Sequence, residues 1–108
     1  MSSTPQGVAD LEALESVFAA LANQSRRTIL LVLHARGGTM TSGDIAQRFD
    51  HSWPTVTRHL RLLERAKLVR VEQRGRERLY HLDRRRLQEV AGAWVARFGV
   101  DTTGERSE

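Results

Sequence analysis

The chain contains no cysteine, which removes disulfides, thiolate metal ligands and a cysteine nucleophile together. A reducing compartment suits such a composition. No apolar run is long enough to cross a bilayer, and the first residues lack the charged-then-apolar layout of a secretory leader. A soluble, cytoplasmic protein with no membrane partner is therefore expected. Internal repeats and low-complexity tracts are absent too. There is no Ser-His-Asp order, no glycine-rich phosphate loop and no His/Glu metal pair at a spacing that chemistry needs. Catalysis requires convergent groups in one pocket, so an enzyme is not expected. His34, His51, His59 and His81 fall on different segments without paired ligand spacing, and neither a metal nor a cofactor is expected.

What remains is a chain of 108 residues with a net charge of +4. That length fits one domain whose core is stable without staples. The domain is expected over residues 8–98, with flexible tails at residues 1–7 and 99–108. The charge is lopsided. Between residues 53 and 86, eleven Lys or Arg stand against four acids, so this part carries the positive charge and the remainder is acidic. A cationic half on a small domain is the electrostatic footprint of a polyanion ligand, because neutralised phosphates release condensed counterions. A solvated basic surface is the plain alternative.

Hydrophobic spacing divides the chain into elements. Leu11, Leu14, Phe18 and Leu21 recur at helical steps, with Asp10, Glu12 and Glu15 near the N-terminal end where helix polarity favours acids. Asn23 can cap a second helix, aliphatic from Ile29 to Leu33 and therefore expected to be buried, which Gly37 and Gly38 stop. Thr41 with Asp44 has a capping-box layout, and Ile45, Ala46 and Phe49 give a short third helix over residues 42–49.

The stretch from Ser52 to Leu63 is the most informative. Ser52 can accept from the first free N–H groups, and Pro54 lies in the first turn, where its missing donor costs nothing. Val56, Leu60 and Leu63 form a stripe that must face a core, which leaves Trp53, Pro54, Thr57, Arg58 and Arg61 on the other side. Arginine can grip a guanine edge bidentately, and threonine, proline or tryptophan can touch a thymine methyl, so this mixture suits the major groove. These five are candidates for base contact. Trp53 has a second reading, as a staple against the third helix. Ser52, Thr55 and His59 are candidates for phosphate contact, although a neutral His59 bonded to a backbone group serves equally well.

Beyond Leu68 the period changes to alternation. Val69 and Val71, then Leu79 to Leu82, flank Gly75, which supplies the positive φ of a hairpin tip. Arg74, Arg76 and Arg78 stud this ribbon and are candidates for phosphate or minor-groove contact. Leu87, Val90, Ala91, Trp94, Val95 and Phe98 then mark a last helix. The fold class is mainly α with a small β-hairpin, in the order helix, helix, helix, helix, strand, strand, helix. That order describes a winged helix-turn-helix.

These residues resemble the ArsR-type (arsenic-repressor-like) transcriptional regulators. The likeness runs over roughly residues 18–82 and is carried by Leu21-Ala22-Asn23-Gln24-Ser25-Arg26-Arg27-Thr28-Ile29-Leu30, Ser52-Trp53-Pro54-Thr55-Val56-Thr57-Arg58-His59-Leu60, Leu63-Glu64-Arg65-Ala66-Lys67-Leu68-Val69 and Gly75-Arg76-Glu77-Arg78-Leu79-Tyr80-His81-Leu82. It implies a bacterial, nucleoid-associated homodimer that pairs through its first and last helices and represses from a palindromic operator on double-stranded DNA. By that likeness Trp53, Pro54, Thr57 and Arg58 match base-reading positions, and Arg74, Arg76 and Arg78 match the wing. Leu11, Leu14, Phe18, Val90, Trp94 and Phe98 are the expected dimer seam, since two broad apolar stripes exceed what a thin core needs. Plain core is the alternative.

Two departures stand out. Lys67 occupies a place where the family usually has glycine, so a left-handed turn there costs about 1 kcal/mol or gives way to another geometry. Metal-sensing members carry ligands where this chain has Thr39-Met40-Thr41-Ser42-Gly43 and Asp83-Arg84-Arg85-Arg86-Leu87, and neither stretch holds a metal in the usual way. The effector is left unknown. A winged-helix module that binds protein or structured RNA is the competing class, separated by whether binding prefers a duplex with an inverted repeat.

Overall fold

Four side chains set where helices begin. Asn23 Oδ1 accepts from the Arg26 backbone N–H at 3.2 Å, Thr41 Oγ1 from Asp44 at 3.0 Å, Ser52 Oγ from Thr55 at 3.4 Å and Asp83 Oδ1 from Arg86 at 2.9 Å. Each satisfies one donor that the first helical turn leaves unpaired. The computed structural model describes residues 6–99; of the tails expected at 1–7 and 99–108, residues 1–5 and 100–108 lie outside the described residues, and residues 6 and 7 already belong to the first helix. The elements are α1 (Gln6–Leu21), α2 (Gln24–Ala35), β1 (Thr39–Thr41), α3 (Ser42–Ala46), α4 (Trp53–Arg65), β2 (Val69–Arg74) and β3 (Glu77–Leu82). The last helix comprises α5 (Arg84–Leu87), a π-helical turn (Gln88–Gly92) and α6 (Ala93–Ala96).

The core is helical. Val17 of α1, Ile29 and Leu33 of α2, Ile45 of α3, and Val56, Leu60 and Leu63 of α4 are fully buried, together with Leu68 beyond it. Burying one such side chain contributes about 1.5–3 kcal/mol. The stripe expected on α4 is therefore the one that faces the core. On α1 the buried positions are Val17 and Ala20, whereas Leu11 stays 59% exposed. Because α1 starts at Gln6, Asp10, Glu12 and Glu15 lie beyond its first turn, and the expected match of acids to the helix dipole does not apply. In α2 the aliphatic run is not wholly buried. A helix turns about 100° per residue and cannot hide five consecutive side chains on one face, so Leu31 is exposed.

The sheet has a third strand that periodicity does not reveal. β1 pairs antiparallel with β3, Met40 opposite Tyr80, and β2 pairs with the other side of β3, giving the order β1-β3-β2. Three residues are too few for an alternation pattern. Met40 and Tyr80 are both buried and join the sheet to the helical core. The hairpin between β2 and β3 closes with Arg74 opposite Glu77, and Gly75 holds a positive φ of +62° at its tip, the position a type II′ turn reserves for glycine.

Helix α3 is shorter than the expected 42–49. It ends at Ala46, and Arg48 and Phe49 continue in tighter turns, donating to the carbonyls of Ile45 and Ala46. Helix α4 ends on Lys67, which is left-handed at φ 63°. Leu68 N–H donates to the Leu63 carbonyl at 3.0 Å and Lys67 N–H to that of Glu64 at 2.9 Å, the bond pair of a Schellman stop. The glycine is replaced but the geometry is kept.

Candidate nucleic-acid interface

Helix α4 places the five base-contact candidates as its sequence implies. With Val56, Leu60 and Leu63 turned inward, Trp53, Pro54, Arg58 and Arg61 are exposed and Thr57 is half-exposed. Trp53 keeps half of its surface open at the helix start. Among the described residues, neither Arg58 nor Arg61 is held by an acid. Ser52 and Thr55 bond each other through their hydroxyls at 3.0 Å, so both oxygens flank the same helix N-terminus, where backbone N–H groups favour an anion.

His59 is the exception. It is only 9% exposed and faces inward, because one step of helical rotation past Arg58 carries it off the open arc. Its Nδ1 lies 3.2 Å from Arg26 Nη1. The guanidinium also donates from Nε to the Ala20 carbonyl at 2.8 Å and from Nη2 to that of Ala19 at 3.1 Å. His59 is thus placed for holding helices together, away from a phosphate. Burial lowers its pKa below the ordinary 6.5, with Arg26, His51 and Arg58 adding to the fall. The neighbouring His51 bonds Ser25 Oγ at 3.0 Å and stacks on Phe49.

The wing arginines differ from one another. Arg74 Nη2 donates to Glu72 Oε2 at 2.9 Å, so part of its charge is answered within the strand. Glu72 Oε1 stands 2.8 Å from His81 Nε2, and His81 Nδ1 is 2.9 Å from Thr39 Oγ1. This chain of contacts crosses all three strands. The hydrogen bonds from His81 and Arg74 lower the Glu72 pKa. The Tyr80 phenol has its pKa raised above 10.0 first by burial, with Glu64 adding to the rise and Arg78 and Arg61 opposing it. Arg61 and Glu64 of α4 and Arg78 of β3 thus all act on this one hydroxyl, which lies between helix and wing. Arg76 is exposed at the tip with no acid or hydrogen-bond partner among the described residues.

Not all of the basic half serves this face. Arg84 Nε donates to His34 Nδ1 at 3.1 Å, and Arg86 Nε donates to the Ala66 carbonyl at 3.2 Å, at the end of α4. Arg26, Glu72, Tyr80 and His81 support α4 and the wing from within the fold and were not among the contact candidates. The sequence touched His81 only as a possible metal ligand and in the resemblance, and Arg26 and Tyr80 only in the resemblance, since their roles depend on contacts across the fold.

The seam candidates gather along α1 and the last helix. Phe18 and Trp94 meet edge to face with ring centres 5.2 Å apart, and Trp94 meets Phe98 at 4.8 Å. Leu11, Leu14, Val90 and Trp94 line a groove of about 420 Å³. Phe98 is 67% exposed and Val95 62%. Among the described residues no group of three or more His, Cys, Asp or Glu could hold a metal ion, and no helix is long and apolar enough to cross a membrane.

Comparisons with known proteins agree with this geometry. Residues 21–72 match a family model described as a helix-turn-helix domain. The chain is 35% identical over 85 residues to the transcriptional repressor SdpR of Bacillus subtilis (strain 168), covering 79% of this chain and 91% of that protein. A crystal structure of an ArsR family transcriptional regulator superposes with a TM-score of 0.72 at 30% identity, over 80% of this chain and 91% of the other. A homodimeric winged helix-turn-helix DNA-binding domain from Mycobacterium bovis, solved by NMR, shares the fold with a TM-score of 0.69 at 22% identity, covering 99% of both chains.

Proposed function

Because this chain belongs to the ArsR-type winged helix-turn-helix transcriptional regulators, we propose that it acts as a homodimeric repressor seated on an inverted-repeat operator. The observation that carries the reading is the open face of α4, where Trp53, Pro54, Thr57, Arg58 and Arg61 stand outward with both arginines free of acids among the described residues. Arg58 reads a guanine edge, and Trp53, Pro54 and Thr57 supply apolar contact to thymine methyls. Ser52, Thr55, Arg76 and Arg78 take phosphates and set the register, as most backbone contacts do. Arg74, already paired with Glu72, contributes less.

The dimer forms through Leu11, Leu14, Phe18, Val90, Trp94 and Phe98. Exposed aromatic and aliphatic surface on two adjacent helices supports this, as does the likeness to the homodimeric Mycobacterium bovis domain. Two-fold symmetry then sets two recognition helices into successive major grooves about 34 Å apart. Occupying a promoter in this way blocks transcription, and the protein works wherever the bacterial nucleoid is accessible. Selection of bound duplexes from random DNA, followed by shift assays over a salt series, tests the reading. A dyad-symmetric motif is expected; salt-labile binding to any duplex, or a preference for structured RNA, would sink it.

A further inference from the structure

Leu31 leaves 67% of its surface exposed on α2, in a helix that otherwise buries Ile29, Leu30 and Leu33. It opens onto a groove of about 440 Å³ where the end of α1, α2, the end of β3 and α5 meet, lined by no residue of α4 and by none of the seam candidates. That volume falls within the range of about 300–1,000 Å³ typical of small-molecule pockets. The floor is aliphatic: Leu30, Leu31, Leu82 and Leu87. Arg27 and Arg84 also line it, and no acid does.

Both arginines are held in place. Arg27 Nη1 donates to the Leu21 carbonyl at 2.7 Å, and Arg84 Nε donates to His34 Nδ1 at 3.1 Å. Each bond uses one donor of a five-donor fork. Among the described residues neither guanidinium has a carboxylate partner. Gly38 leaves room for Arg84, because a Cβ there would come within 3.1 Å of Arg84 Nη1. Capping the end of α1 explains one donor of Arg27, and the His34 ring explains one of Arg84. These contacts leave unexplained why two cations without acids border one aliphatic groove. The π-helical turn also starts at Gln88, on the edge of the groove, and such turns collect at functional sites.

We propose that this groove binds a small amphipathic carboxylate, its chain lying on Leu30, Leu31, Leu82 and Leu87 and its head group taken by the Arg27 and Arg84 guanidinium groups. Guanidinium pairs a carboxylate through two parallel hydrogen bonds, and an apolar wall strengthens that pairing. An occupant touches α2, β3 and α5 at once. It thereby couples the helical core behind α4 to the strand that carries Arg78.

The test is a titration of the full chain with decanoate, read by backbone amide shifts and calorimetry without DNA, so its outcome is separate from that of operator binding. Saturable binding of one decanoate per chain is expected, with shifts centred on Leu31, Leu82 and Leu87. Decanol, which lacks the charge, and the Arg84→Gln protein are each expected to bind at least about tenfold more weakly, the loss that follows from removing one charged hydrogen bond. Leu31→Asn alters an exposed position, so the fold survives, and it too is expected to weaken binding. Absence of saturation, equal affinity for decanol, or shifts centred on Leu11 and Trp94 would overturn the proposal. So would dissociation of a dimer by Leu31→Asn, which would mean that a second copy covers the groove.

Discussion

Arg26 Nη1 stands 3.2 Å from His59 Nδ1 and ties the recognition helix to the end of α1, because the same guanidinium donates to the Ala19 and Ala20 carbonyls. A guanidinium can only donate. His59 Nδ1 therefore accepts, and the ring is neutral with its proton on Nε2. The histidine on the buried side of α4 fixes the helix whose outer face is proposed to read DNA.

Stability should fall as the pH drops below neutrality. Burial, then Arg26, His51 and Arg58, hold the folded-state pKa of His59 below 6.5. The unfolded chain thus binds a proton first, and the contribution of neutral His59, complete above 6.5, is lost as pH falls from there toward the lower folded value. Urea unfolding at about pH 8 and pH 5 checks this against His59→Gln, whose difference between the two should be smaller. An equal difference in both proteins would contradict it.

Lys67→Gly should stabilise the fold by about 1 kcal/mol, since the left-handed backbone that lysine occupies is strained for any residue with a Cβ. The denaturation midpoint is expected to rise with an unchanged slope.

Arg58→Ala should cost roughly 1–3 kcal/mol in operator binding and relax base preference at one position of each half-site. Arg76→Ala should weaken all duplexes alike and reduce the salt slope by about one per subunit. Binding selections and salt titrations on both proteins separate the roles, and identical behaviour would refute the division of labour.

Phe98→Ser should shift the protein toward monomer in sedimentation while leaving its circular dichroism intact, because the ring is 67% exposed in the single chain. Leu63→Ala, at a fully buried position, should instead lower stability by about 2–5 kcal/mol. A Phe98→Ser protein that stays fully dimeric at low micromolar concentration would place the seam elsewhere.

Residues close in sequence were read well. The caps at Asn23, Thr41 and Ser52, the inward stripe of α4 and the glycine at the hairpin tip are all local, decided within one turn or one strand pair. The outward face of α4 follows from that stripe by geometry alone. Strand β1 was hidden, because three residues become a strand only when Tyr80 and its neighbours on β3 supply hydrogen bonds from forty residues away. The place of His59 was open for the same reason: its partner Arg26 is 33 positions distant.

Amino-acid order alone therefore determined where α2, α3 and α4 begin, the hairpin and which side of α4 is polar, since these depend on caps, backbone preferences and on 3.6-residue and two-residue periods. Only the tertiary fold decided which cations are free. Arg74, Arg84 and Arg86 look like Arg58 and Arg76 in the sequence, yet Glu72, His34 and the Ala66 carbonyl engage them. Long side chains take partners by proximity in space, and packing creates that proximity.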